Sequence, residues 1–147
     1  MPVKLKKLLK KVDAFLDSDA SSRKEKKTSV KHVLKNLPRI CHPQLLDQVD
    51  FVLNHYHTNN RPIQIEVVAN NDGLRLLQFG RSPYPDRVRS LSEQYQNLVF
   101  AACGSTMDRL LAEHGESISI LPQAIIIRSG VTFIVRRQSQ GWSYIKV

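Results

Sequence analysis

The stretch "NLVFAACGSTMDRLL", residues 97–111, decides how the rest of the chain is read. Its apolar residues are continuous rather than alternating, as expected of a strand covered on both faces. "STMDRLLAEHG" then reads as a helix ended by Gly115. The joint between them is Cys103 followed by Gly104. A strand that runs straight into a helix belongs to a βαβ unit, so both flanks should supply further strands and helices.

They do. Upstream, "TSVKHVLKNL" reads as a first strand over 28–35, with β-branched residues alternating around Val30 and Val33. Pro43 opens a helix, where its missing N–H has no cost. Leu45, Val49, Val52 and Tyr56 form one stripe of that helix, broadened by Leu46 and Leu53. "IQIEVVAN" is a second strand, 63–70, with "NDG" as the turn after it. "LRLLQFG" reads as a short helical or irregular piece. "SPYPDRVRSLSEQY" reads as a helix with Ser82 as its cap and Val88 and Leu91 facing inward. Downstream, "QAIIIRSG" is a fourth strand over 123–128, and "SGVTFIVRRQSQG" is a helix with Gly141 at its end. "WSYIKV" alternates and closes as a fifth strand. Strands alternating with helices imply a mostly parallel sheet with right-handed crossovers, an α/β fold.

The chain has 147 residues, 41% of them hydrophobic, which suits one domain with a sizeable core. Its formal net charge of +9 is unevenly placed. Residues 1–31 hold 10 Lys/Arg against 4 Asp/Glu, and residues 32–147 hold 12 against 9. The basicity therefore belongs to an N-terminal arm. Leu5, Leu8, Leu9, Val12, Phe15 and Leu16 recur there at helical spacing among lysines, and "DSDASSRKEKK" reads as a linker. Residues 1–27 are thus expected to be a basic amphipathic helix and linker, and 28–147 the α/β domain.

This distribution argues against nucleic acid as the partner, since Phe15 is the arm's only aromatic. No apolar run approaches the ~20 residues of a membrane span. Lysines interrupt any signal-like stretch, so a cytoplasmic protein is expected and membrane binding is not. Cys41 and Cys103 are too few for a disulfide framework or a structural zinc site, so no metal and no cofactor is expected.

In parallel sheets, ligands gather at the carboxyl ends of the strands. Asn70, Asn71, Asp72 and Gly73 follow strand two. Cys103, Gly104, Ser105 and Thr106 follow strand three, and Ser129 and Gly130 follow strand four. Neither a P-loop nor a G-x-G-x-x-G fingerprint occurs, which removes the usual nucleotide sites. A thiol at a helix start faces unpaired N–H groups and the positive end of the helix dipole, a setting that can lower its pKa. Free cysteine is also among the most buried residue types, so position alone leaves reactive and inert readings of Cys103 equally open. Cys41 has a less regular helix entry. His55 and His57 are two apart and share no face, and His114 suits the last turn of a helix.

"IEVVANNDGLRLL", "VFAACGSTMDRL" and "GVTFIVRRQSQGWSYIKV" together resemble the DsrE/DsrF-like family, in particular its poorly characterised single-chain branch. The resemblance covers residues 28–147 and leaves out the arm. It implies a three-layer α/β/α domain around a five-stranded parallel sheet, and homo-oligomers, commonly trimers or hexamers. Better-known members pass sulfane sulfur between proteins as a persulfide on a cysteine after the third strand, and Cys103 falls at that position. On this basis Cys103 is expected to be the catalytic thiol of a sulfur carrier or sulfurtransferase-like protein, exchanging sulfur with a protein donor or acceptor. Gly104 is expected to let backbone approach the sulfur, and the N–H groups of Ser105 and Thr106 to stabilise the anion. Asn70, Gly73 and Ser129 are expected to complete the pocket. The alternative is a non-catalytic small-ligand-binding or oligomeric assembly module in which Cys103 is structural.

Overall fold

The computed structural model describes residues 29–34 and 41–147, with side chains from Pro43 onward. The expected N-terminal helix and linker, 1–27, lie outside the described residues. The rest is an α/β fold. Its strands are β1 (Ser29–Leu34), β2 (Gln64–Ala69), β3 (Leu98–Cys103), β4 (Ala124–Ile127) and β5 (Ser143–Lys146). The helices are α1 (Cys41–Thr58), α2 (Pro85–Gln94), α3 (Gly104–His114) and α4 (Gly130–Ser139), with a 3-10 helix over Asn71–Leu77.

The sheet order is β4-β3-β2-β1-β5, and every neighbouring pair is parallel. The first three crossovers step in one direction across the sheet, and the fourth, through α4, returns to the far side of β1. Right-handed connections then send α4 to the opposite face from the helices before it. The packing agrees. Ile65, Val67 and Ala69 stand in register with Leu98, Phe100 and Ala102 and share one buried cluster with α1, the 3-10 helix and α2. Val68 and Ala101 point the other way, against Ile134 of α4.

The α1 stripe is fully engaged, with Leu45, Leu46, Val49, Val52, Leu53 and Tyr56 all buried. Burying one such aliphatic side chain is worth about 1.5–3 kcal/mol, which explains why an 18-residue helix forms here. Gly115 ends α3 in the left-handed region at φ 69°, and Gly141 follows α4 at φ 84°. Both stops match the sequence reading, because glycine adopts this conformation without steric cost.

Three local readings are corrected. "NDG" is not a free turn but the start of the 3-10 helix, entered through Asn71 at φ 49°. Ser82 is not the cap of α2. That position is Tyr84, with Pro85 opening the helix. The Ser82 hydroxyl instead donates to the Leu76 carbonyl and accepts from the Tyr84 N–H, which ties the loop to the 3-10 helix. Finally, α1 begins at Cys41, two residues before the proline.

Candidate functional site

Successive strands β3 and β4 send their outgoing helices to opposite faces of the sheet. A crevice opens at such a point, outside the carboxyl ends of the two strands. Cys103 is the last residue of β3 and the N-cap of α3, in extended conformation. It belongs to the same side of the strand as Ala101, the side that α4 covers. The Gly130 N–H, at the start of α4, donates to the Cys103 Sγ at 3.3 Å. The sulfur therefore lies where the amino ends of two helices meet.

Its surroundings are donors. Burial alone would raise the thiol pKa, because Cys103 is 5% exposed. Hydrogen bonding outweighs burial and holds the thiol below its ordinary value. The Thr106 hydroxyl contributes most, followed by the Gly130 N–H and then the N–H groups of Thr106 and Ser105. A thiol lowered in this way carries more thiolate, the nucleophilic form, at neutral pH.

The sequence-derived candidates separate into two groups. Asn70, Thr106 and Gly130 join Cys103. Thr106 is 4% exposed, and its Oγ1 accepts from the Asn71 N–H at 3.1 Å. Asn70 is 4% exposed and packs on Gly130, with its Oδ1 buried and unpartnered. Ser129 borders the site as the N-cap of α4, its Oγ accepting from the Thr132 N–H at 3.4 Å.

The others do different work. Gly73 is buried inside the 3-10 helix, where its N–H donates to the Asn70 carbonyl, so it shapes the turn. At Gly104 the structure shows a constraint of packing against β4. A Cβ there would stand 2.9 Å from the Ile127 carbonyl oxygen, so glycine is required for α3 to start against β4. Ser105 is largely committed elsewhere. Its N–H and its hydroxyl both donate to the Arg128 carbonyl, at 3.0 and 2.8 Å. Its part in stabilising sulfur is accordingly the smallest of the group.

One polar cluster escaped the sequence reading. Glu66 of β2, 2% exposed, accepts two hydrogen bonds from Arg137 of α4, at 2.8 and 3.1 Å. The Arg137 guanidinium lies over the rings of Phe133 and Trp142, at 4.9 and 4.7 Å from their centroids. An acid inside the apolar run "IEVVA" was the available signal. A groove of about 390 Å³ between α1 and α2, lined by Asp47, Asp50, Phe51, Asn54, Gln94 and Tyr95, shares no residue with the sulfur site.

Among the described residues no group of three or more His, Cys, Asp or Glu could hold a metal ion. None of their helices is long and apolar enough to cross a membrane. No family model matches the chain, and no curated protein matches it.

Proposed function

We propose that this chain is a sulfur carrier or sulfurtransferase-like protein that holds sulfane sulfur as a persulfide on Cys103. The observation that carries this reading is a buried sulfur surrounded by donors at the meeting of two helix starts, with its pKa lowered despite burial. The Cys103 thiolate attacks the outer sulfur of a donor persulfide. A sulfur–sulfur bond to Cys103 forms, the donor's own sulfur–sulfur bond breaks, and the donor leaves as a thiolate. The exchange involves no net oxidation. The same donors that favour the thiolate favour the anionic persulfide.

The reading extends to the resemblance stated above. It takes the chain as a cytoplasmic DsrE/DsrF-like protein with a three-layer α/β/α domain, an N-terminal helical arm and a homo-oligomeric state, trimer or hexamer. Exposed Ile125 and Ile126 on the edge strand β4, with exposed Val131 and Val135 on α4, support assembly, because large apolar side chains left in water favour burial against a partner. Incubation with a persulfide donor is expected to add about 32 Da, one sulfur atom, to the Cys103 peptide. No adduct under conditions that load a known carrier would overturn the proposal.

The 5% exposure of Cys103 favours a second reading, a ligand-binding or assembly module with a structural thiol. Alkylation in the folded state separates the two. A Cys103 that resists iodoacetamide throughout the neutral range supports the structural role.

A further inference from the structure

Cys103 has a polar neighbour across the sheet. Strands β2 and β3 pair in register as far as Ala69 opposite Ala102. Asn70 keeps the extended conformation, at φ −131° and ψ 163°, so it comes next, opposite Cys103. Adjacent strands lie about 4.8 Å apart. By alternation both side chains fall on the side of Val68 and Ala101, the side that α4 covers. Gly130 lies against both. Its N–H donates to the Cys103 Sγ at 3.3 Å, and a Cβ on it would stand 3.5 Å from the Asn70 Cβ and Nδ2. Asn70 is 4% exposed, and its Oδ1 is buried with no hydrogen-bond partner among the described residues. The backbone donors of these loops are committed elsewhere. The N–H groups of Gly130, Asn71, Gly73 and Thr132 go to the sulfur, the Thr106 hydroxyl, the Asn70 carbonyl and the Ser129 hydroxyl. Buried acceptors are almost always paired, so an open one beside a thiol marks a place for a donor that arrives with a ligand.

We infer that Asn70 is a substrate-binding residue of the Cys103 site, its Oδ1 accepting a hydrogen bond from an N–H that the substrate carries beside its reacting atom. The amide oxygen and the thiolate are both acceptors, carried at the same level on neighbouring strands. A bare anionic sulfur species, such as inorganic polysulfide, brings no N–H and meets the oxygen as a further acceptor. A persulfide on a molecule with an N–H near its sulfur fills both positions at once. The site therefore takes N–H-bearing persulfides in preference to inorganic ones. This selectivity deepens the proposed function and rests on Cys103 being its reactive group.

The test compares two alkylating reagents at Cys103: iodoacetamide, which carries an N–H, and 2-iodo-N,N-dimethylacetamide, which has none. Rates at neutral pH are followed by peptide-resolved mass spectrometry, and their ratio cancels any difference in thiolate content. Glutathione supplies the ratio for an unassisted thiol. In the native protein the ratio is expected to exceed that of glutathione about fivefold, as one added hydrogen bond would give. Asn70→Leu keeps the size of the side chain and removes the acceptor, and should abolish the preference. Asn70→Asp keeps an acceptor oxygen and should retain it. Circular dichroism checks that each variant is folded. A native ratio equal to that of glutathione would overturn the inference without any variant. So would a preference that persists in folded Asn70→Leu, since that is the mark of crowding by the two methyl groups. A Cys103 that neither reagent modifies defeats this inference and the proposed function together. The expected ratio without any sulfur gained from a persulfide donor defeats the proposed function alone and leaves Asn70 as the binding residue of a reactive thiol.

Discussion

A methyl group is the smallest side chain that could be added beside Cys103, and the joint has little room for one. At Gly104 it would press on the Ile127 carbonyl at 2.9 Å, which is backbone and cannot swing away. Gly104→Ala should therefore cost about 1–3 kcal/mol, typical of overpacking, and lower the melting temperature in a thermal unfolding experiment. An unchanged melting temperature would show that α3 can shift from β4 at little cost. Gly130 is tighter than it looks for a different reason. A Cβ there would meet the Val68 Cγ1 at 3.2 Å and the Asn70 side chain at 3.5 Å. A small outward movement of α4 relieves that contact but draws the Gly130 N–H away from the sulfur. Gly130→Ala is thus expected to slow Cys103 alkylation at neutral pH while changing stability less than Gly104→Ala does.

Helix α4 alone covers its face of the sheet among the described helices, and Arg137 fastens it. Arg137 gives two hydrogen bonds to the Glu66 carboxylate, whose side chain is 3% exposed. Arg137→Ala should cost about 1.5–3 kcal/mol in chemical denaturation, because it removes hydrogen bonds to a buried charged group. On the opposite face, α1 is linked to the end of α2 through the Tyr95 hydroxyl, which donates to Asp50 Oδ1 at 2.7 Å. Burial, then the Asp50 hydrogen bond and charge, push the Tyr95 pKa up to about 12. The folded state prefers the neutral phenol, so this contribution is complete below the ordinary value of 10.0 and is lost as pH rises toward 12. Tyr95→Phe should flatten the fall of stability across that window. An equally steep fall in the variant would place its cause elsewhere. These links also mark where sequence reading stops. Periodicity identified the buried stripe of α1 and the continuous strand β3, since each is a local pattern. It assigned the glycine stops for the same reason. The Glu66–Arg137 pair joins residues 71 positions apart, and the Asn71–Thr106 bond joins residues 35 apart. Periodicity tells which side a residue faces, not which residue it meets there. The second bond of Ser105 was out of reach on the same ground, because its acceptor, the Arg128 carbonyl, lies just past β4.

Ile125 and Ile126 on β4, and Val131 and Val135 on α4, form exposed apolar surface, each residue between 51% and 61% exposed. If that surface holds the proposed oligomer together, Val131→Lys with Val135→Lys should reduce the assembly size in light scattering while leaving the circular dichroism spectrum intact. The apolar stripe of residues 4–16 is a further expected contributor. Deleting residues 1–27 should lower the melting temperature or the assembly size, and loss of vesicle binding with neither effect would favour a membrane role for the arm. The reversal that places β5 beside β1 has a separate consequence, in the order of synthesis. Strands β1 to β4 leave the ribosome in the order in which they pair, so each finds its neighbour already made. The outer edge of β1 does not. Its partner emerges more than a hundred residues later, roughly 5–20 s at ordinary elongation rates. Throughout that interval a parallel edge stands open to other nascent chains. The newborn protein is therefore most exposed to chaperones, and to aggregation, just before its fifth strand appears.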